Sequence, residues 1–119
     1  MSENGKRVYD LEERTFQFSR NVAIFVRTLP RTVSNIEYGK QVIRSSGSIG
    51  ANYIEANEAL SKKDFQMRIK ICRKEAKETG YWLRLIIETN SEAKIMDEGT
   101  HLLSEAIELK KILSSILMK

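Results

Sequence analysis

Apolar residues recur along this chain at intervals of three and four, the period of an amphipathic helix. In the first such run Leu11, Thr15, Phe18, Val22, Phe25 and Leu29 fall on one face, which predicts a helix from about Leu11 to Thr28. Asp10 stands where it can cap that helix, with Glu13 three residues on, and Pro30 ends it. A second run starts at Ser34, where Glu37 completes a capping box, and extends towards Leu60. Ser61 and Asp64 open a third in the same way, which reaches about Thr89 before the short break at Asn90 and Ser91. The fourth runs from near Glu92 to Met118, and Gly99 is expected to loosen its first turns. Long helices joined by a few residues pack antiparallel to their neighbours. The pattern therefore predicts an all-α fold, an antiparallel up-down four-helix bundle. It forms one domain over residues 1–119, with residues 1–10 only loosely attached.

The second run contains the stretch SSGSIGAN, Ser45 to Asn52, which is rich in poor helix formers. Even so, Val42, Ile43, Ser46, Ile49, Gly50, Tyr53, Ala56 and Leu60 share one face, while Arg44, Ser48 and Glu55 point away. The phase passes unbroken through both glycines. That favours one continuous helix whose thin middle lets a neighbour come close. The alternative is a break near Gly47.

Composition narrows the class. The chain has 119 residues, 41% hydrophobic and 30% charged, enough for a single core. No apolar run approaches the ~20 residues of a membrane helix. The opening MSENGKRVYD carries no hydrophobic leader, and the lone Cys72 has no partner for an internal disulfide. A cytoplasmic protein with no membrane contact is expected. The net charge is +4, and residues 61–90 hold eight basic against four acidic side chains, so the third helix carries the whole excess.

That excess is patterned. Lys62, Lys63, Lys70, Arg73, Lys74, Lys77 and Arg84 fall in one arc of about a third of the helix circumference, at ~100° per residue. Such a stripe can track a phosphate backbone, which makes Lys63, Lys70, Arg73, Lys77 and Arg84 the candidate nucleic-acid-binding residues. Tyr81 is the one aromatic in the arc. The plainer alternative is a solvated face with intrahelical pairs such as Lys74 with Glu78. Phe65, Ile69, Cys72, Ala76, Leu83 and Ile87 make the expected core face of the same helix. A further face carries Met67, Ile71, Glu75, Glu78, Trp82 and Leu85, although a bundle helix normally needs one apolar face. Phe16, Ala23, Leu103 and Ile107 likewise stray from their stripes. Surplus apolar surface implies a partner, most simply a second copy, with Glu75 and Glu78 pairing basic groups of that neighbour. A merely wide core stripe is the other reading.

Catalysis finds little support. There is one histidine, His101, and one cysteine, whose phase with Phe65, Ile69, Ala76 and Leu83 marks it as a small buried hydrophobe. Di-iron bundles use two Glu-x-x-His motifs and two further glutamates. Here only Glu98-x-x-His101 has that spacing, with Glu55, Glu58, Glu75 and Glu78 as spare carboxylates, so a surface pair is favoured over a metal site shared between chains. No enzyme activity, cofactor or metal is expected.

The segments SIGANYIEA, SKKDF and KEAKETGYWL together resemble the 23S rRNA intervening-sequence proteins, a family of small bacterial four-helix bundles. That family is related to the accessory protein of diversity-generating retroelements. The resemblance rests on Ser48, Ile49, Asn52 and Glu55, on Ser61, Asp64 and Phe65, and on Glu75, Glu78, Thr79, Tyr81, Trp82 and Leu83. It extends over most of the chain from about Phe16, and departs at Ala59, where many members have glycine. It implies a ring-like homopentamer and, through the retroelement relative, binding of RNA or DNA. A scaffold or adaptor that binds another protein through the Trp82 face is the rival reading.

Overall fold

The computed structural model describes the backbone from residue 3 and side chains from residue 11. Four helices follow one another: α1 (Glu3–Arg27), α2 (Val33–Asn57), α3 (Lys62–Thr89) and α4 (Ala93–Leu117). Consecutive helices pack side by side as an all-α four-helix bundle, as expected. The α2–α3 and α3–α4 seams are the most extensive, α1–α2 is smaller, and α1 touches α4 least. The molecule is a rod of 45 × 24 × 20 Å.

Helix limits follow local chemistry, with three departures from expectation. α1 begins at Glu3, so Asp10 lies within the helix rather than at its cap. The looseness expected of residues 1–10 lies outside the described side chains. The cap of α2 is Thr32 and not Ser34. Thr32 sits in extended backbone just after Pro30, and its hydroxyl accepts from the Asn35 amide at 3.1 Å. The last departure is the end of α2 at Asn57, which leaves Leu60 in a turn and 97% exposed. Ser61 caps α3 as expected, accepting from the Asp64 amide at 3.1 Å.

The core stripe of α1 matches expectation, with Leu11, Thr15, Phe18, Val22, Phe25 and Leu29 all buried. On α2, Val42, Ser46, Ile49, Tyr53 and Ala56 turn inward, but Ile43 is exposed. On α3, Ile69, Cys72, Ala76 and Leu83 are buried, while Phe65 and Ile87 are only half-buried. Glu75, Thr79 and Ile86 are buried beside them, because α3 packs against helices on two sides and its inward sector is rotated towards α2.

α2 is continuous through SSGSIGAN, and the reason for its glycines is steric. A Cβ at Gly50 would lie 3.0 Å from the Thr15 Oγ1 of α1, and one at Gly47 would lie 3.6 Å from the Ser19 Oγ. The thin middle of α2 lies against α1, and Gly39 nearer its start does too, where a Cβ would lie 2.9 Å from Val26 Cγ1. Gly99 does not loosen α4. It is buried within the helix, and a Cβ there would meet Ile87 Cγ1 at 2.8 Å and Phe25 Cζ at 3.4 Å.

Candidate nucleic-acid interface

A helix of 28 residues carries the cationic strip, so its geometry follows from helical periodicity alone. Lys62, Lys63, Lys70, Lys74, Lys77 and Arg84 are exposed on α3, and Arg73 is half-buried. Lys63 and Arg84 lie ~32 Å apart along the axis at ~1.5 Å per residue. Among the described residues none of the seven takes part in an ion pair, and Lys74 does not pair with Glu78. All seven side chains are therefore free of direct ion pairs, and Glu88, four residues beyond Arg84, is the one carboxylate that shares their arc.

The opposite flank of α3 faces α2. Arg44 of α2 donates to Glu75 at 3.1 Å and also to Glu78, so both carboxylates have a cation within the chain. These two acids hold the Arg44 guanidinium above its ordinary value, the Glu75 hydrogen bond contributing most. Partial burial pushes Glu78 upward, but hydrogen bonds from Trp82 and Arg44 outweigh it and leave the carboxyl below its usual range. Arg44 was legible as an outward residue, yet nothing in local spacing paired it with a helix 31 residues away.

Trp82 is half-buried against the core, not free on the surface. Its indole Nε1 donates to Glu78 at 3.4 Å. Its ring lies 6.0 Å from that of Tyr38 and 5.1 Å from that of Tyr81, the latter at 75° in an edge-to-face pair. Of the other residues expected on this face, Met67 is exposed, and Ile71 and Leu85 are half-buried. A second apolar strip runs down the outer side of α1 and α2 through Phe16, Ile36, Ile43 and Ile54. The spacing of the three isoleucines, seven and eleven residues apart, carries its signal in the sequence, although the periodicity of α2 places Ile43 with the core.

The remaining candidates are Cys72 and the Glu98–His101 pair. Cys72 is fully buried, and that burial pushes its thiol up to about 12. Glu98 is half-buried and His101 exposed on α4, and among the described residues no three metal-ligating side chains converge. No helix among the described residues is long and apolar enough to cross a membrane.

A cleft of about 280 Å³ between α3 and α4 was missed by sequence reasoning. Lys77, Tyr81 and Arg84 line it from α3, and Leu103, Ile107 and Lys110 from α4. Leu103 and Ile107 had stood out only as strays from their stripe.

Comparison with known proteins agrees with this architecture. The family model described as 23S rRNA-intervening sequence protein matches residues 8–115. A crystal structure of a protein of unknown function from the S23 ribosomal protein family of Bacteroides thetaiotaomicron is similar throughout. It superimposes with a TM-score of 0.81 at 30% identity, covering 94% of this chain and 98% of that one. No curated protein matches the chain.

Proposed function

The chain belongs to the 23S rRNA-intervening sequence protein family, and from that premise we propose that it is a non-enzymatic cytoplasmic bundle that self-associates and binds RNA or DNA phosphates. The observation that carries this reading is the strip of seven cations on α3, free of carboxylate partners among the described residues. Lys63, Lys70, Arg73, Lys77 and Arg84 are its contact residues. Lysine meets phosphate as a point charge and arginine through a bidentate fork, and both release condensed counterions, so contacts confined to phosphates carry no sequence information. Repetition of the strip around a closed ring of five copies turns several weak contacts into one tight one.

Filter binding of a labelled RNA at two salt concentrations tests the reading. Binding is expected to weaken with salt, and replacing Lys70, Lys77 and Arg84 by glutamine is expected to flatten the dependence of log K on log salt by about 2 for a single strand. Absence of binding at low salt, or binding indifferent to salt, overturns it.

The exposed strip of Phe16, Ile36, Ile43 and Ile54, which would join copies of this chain, could instead receive a different protein, and that is the second reading, a scaffold. Recovery of a specific protein from nuclease-treated host extract, lost on Ile43→Asp, supports that reading. Recovery of nucleic acid alone opposes it.

A further inference from the structure

The cleft between α3 and α4 combines two features that phosphate binding alone does not require. The first is an aromatic ring held in place yet open to solvent. Tyr81 is 56% exposed, and its ring packs edge-to-face at 5.1 Å on Trp82, itself fixed between Tyr38 and Glu78. The second is cationic flanking on both walls. Lys77 and Arg84 stand one turn before and one turn after Tyr81 on α3, and Lys110 stands opposite on α4. None of these three cations pairs with a carboxylate among the described residues. Between the walls the lining is apolar, with Leu103 and Ile107 on α4 and the bare backbone of Gly80 on α3. A Cβ at Gly80 would lie 3.5 Å from Leu103 Cδ1, so the absent side chain is what leaves the floor low.

A flat, apolar, aromatic floor with positive charge on either side matches one unpaired nucleotide. A base set against Tyr81 and Ile107 would place the phosphates on its two sides within reach of Lys77, Arg84 and Lys110. Duplex nucleic acid does not fit this arrangement, because its bases stack on one another and offer only their edges in the grooves. The cleft is a shallow trough of about 280 Å³ between two helices, with room for a strand to cross it.

We propose that the α3–α4 cleft is a stacking site for an unpaired base, with Tyr81 as the platform and Lys110 as a phosphate contact on a second helix, so that the protein prefers single-stranded to double-stranded nucleic acid. The proposal rests on the phosphate-binding reading above and adds to it a strand preference and two residues.

The test uses the full chain and fluorescence anisotropy with three probes: labelled oligo(dT), an abasic oligomer of equal length, and a duplex of equal length. Oligo(dT) is expected to bind more tightly than either of the others. Tyr81→Ala is expected to weaken oligo(dT) by about 5- to 100-fold, the range spanned by base stacking on an aromatic ring. The same change is expected to leave the abasic oligomer unaffected, and Tyr81→Phe to keep the preference. Lys110→Gln is expected to weaken both single-stranded probes and to lower the salt slope by about 0.7. Circular dichroism of each variant confirms that the bundle is intact. Equal binding of oligo(dT) and abasic oligomer, tighter binding of duplex, or no effect of Tyr81→Ala overturns the stacking site while salt-dependent binding still stands. Failure of every probe to bind at low salt overturns both.

Discussion

At the residue scale, two glycines inside helices have opposite roles. Gly47 lies within α2, and an added Cβ there makes an ordinary contact, 3.6 Å from Ser19 Oγ. Gly47→Ala removes the helix penalty of glycine and is expected to stabilise the fold by up to ~1 kcal/mol. At Gly99 the added Cβ would be 2.8 Å from Ile87 Cγ1, inside contact distance, so Gly99→Ala is expected to destabilise by about 1–3 kcal/mol. Thermal melting monitored by circular dichroism separates the two, since each kcal/mol moves the midpoint by about 4 °C in a chain of this size. The sequence shows the helical phase running through Gly47, and for Gly99 it suggests only a loosened first turn. Which of them touched a neighbour depended on the helix opposite. The Arg44 cluster makes a second prediction at this scale. Glu78 has a lowered native pKa, so its contribution is present above the unfolded value and is lost as the pH falls through the native one. The melting difference between the wild type and Glu78→Gln is expected to be largest near neutrality. It should shrink in the acid range below the ordinary glutamate value of ~4.3. A difference that grows on acidification would contradict the ion-pair account.

At the scale of elements, the caps and connections decide where each helix begins and how its ends are tied. Thr32 and Ser61 accept from the third amide beyond them, whereas Ser34 lies inside α2. Thr32→Ala and Ser61→Ala are each expected to cost about 0.5–2 kcal/mol, and Ser34→Ala only a few tenths. Urea titration measures all three. The serine at 34 with Glu37 matched a capping box, but Pro30 constrains the preceding turn so that the extended residue falls at Thr32. Asn35, buried at the start of α2, exchanges paired side-chain hydrogen bonds with Asn90 at the end of α3, each 2.9 Å long. Ser45 and Thr79 meet at 2.8 Å within the α2–α3 seam. Each hydroxyl also reaches a carbonyl of its own helix, Thr79 that of Glu75 at 2.8 Å and Ser45 that of Val42 at 3.4 Å. These polar links satisfy groups that would otherwise be buried without partners, and they hold α2 and α3 in one register. Neither pair was legible, because each joins residues far apart in the chain with no local periodicity relating them.

For the whole molecule, the rod shape matters most. The radius of gyration is 15.0 Å, against ~13.5 Å for a compact domain of this length. A rod of four helices leaves long outer faces, and here they differ in character: cationic along α3, apolar along α1 and α2 through Phe16, Ile36, Ile43 and Ile54. Apolar area of that extent is costly in water and is expected to drive association of copies. Light scattering during size exclusion is expected to give several times the mass of one chain. Phe16→Asp with Ile43→Asp is expected to reduce it to one chain while the helical signal persists. A monomeric wild type would remove self-association and with it the multiplied phosphate contacts of a ring.

The order of apolar and polar residues by itself determined that four helices form, roughly where they stop, most of what each buries, and that one of them presents a cationic strip. These are properties of positions three and four apart on one helix, where the backbone sets the geometry. The tertiary structure alone decided the rotation of α3 that buries Glu75, Thr79 and Ile86, the capture of Glu75 and Glu78 by Arg44, and the close approach at Gly99. It also decided the meeting of Lys77, Tyr81 and Arg84 with Lys110 across one cleft. Each of these depends on how side chains of two helices interlock, which is set by the packing of the whole core and leaves no periodic trace in either helix alone.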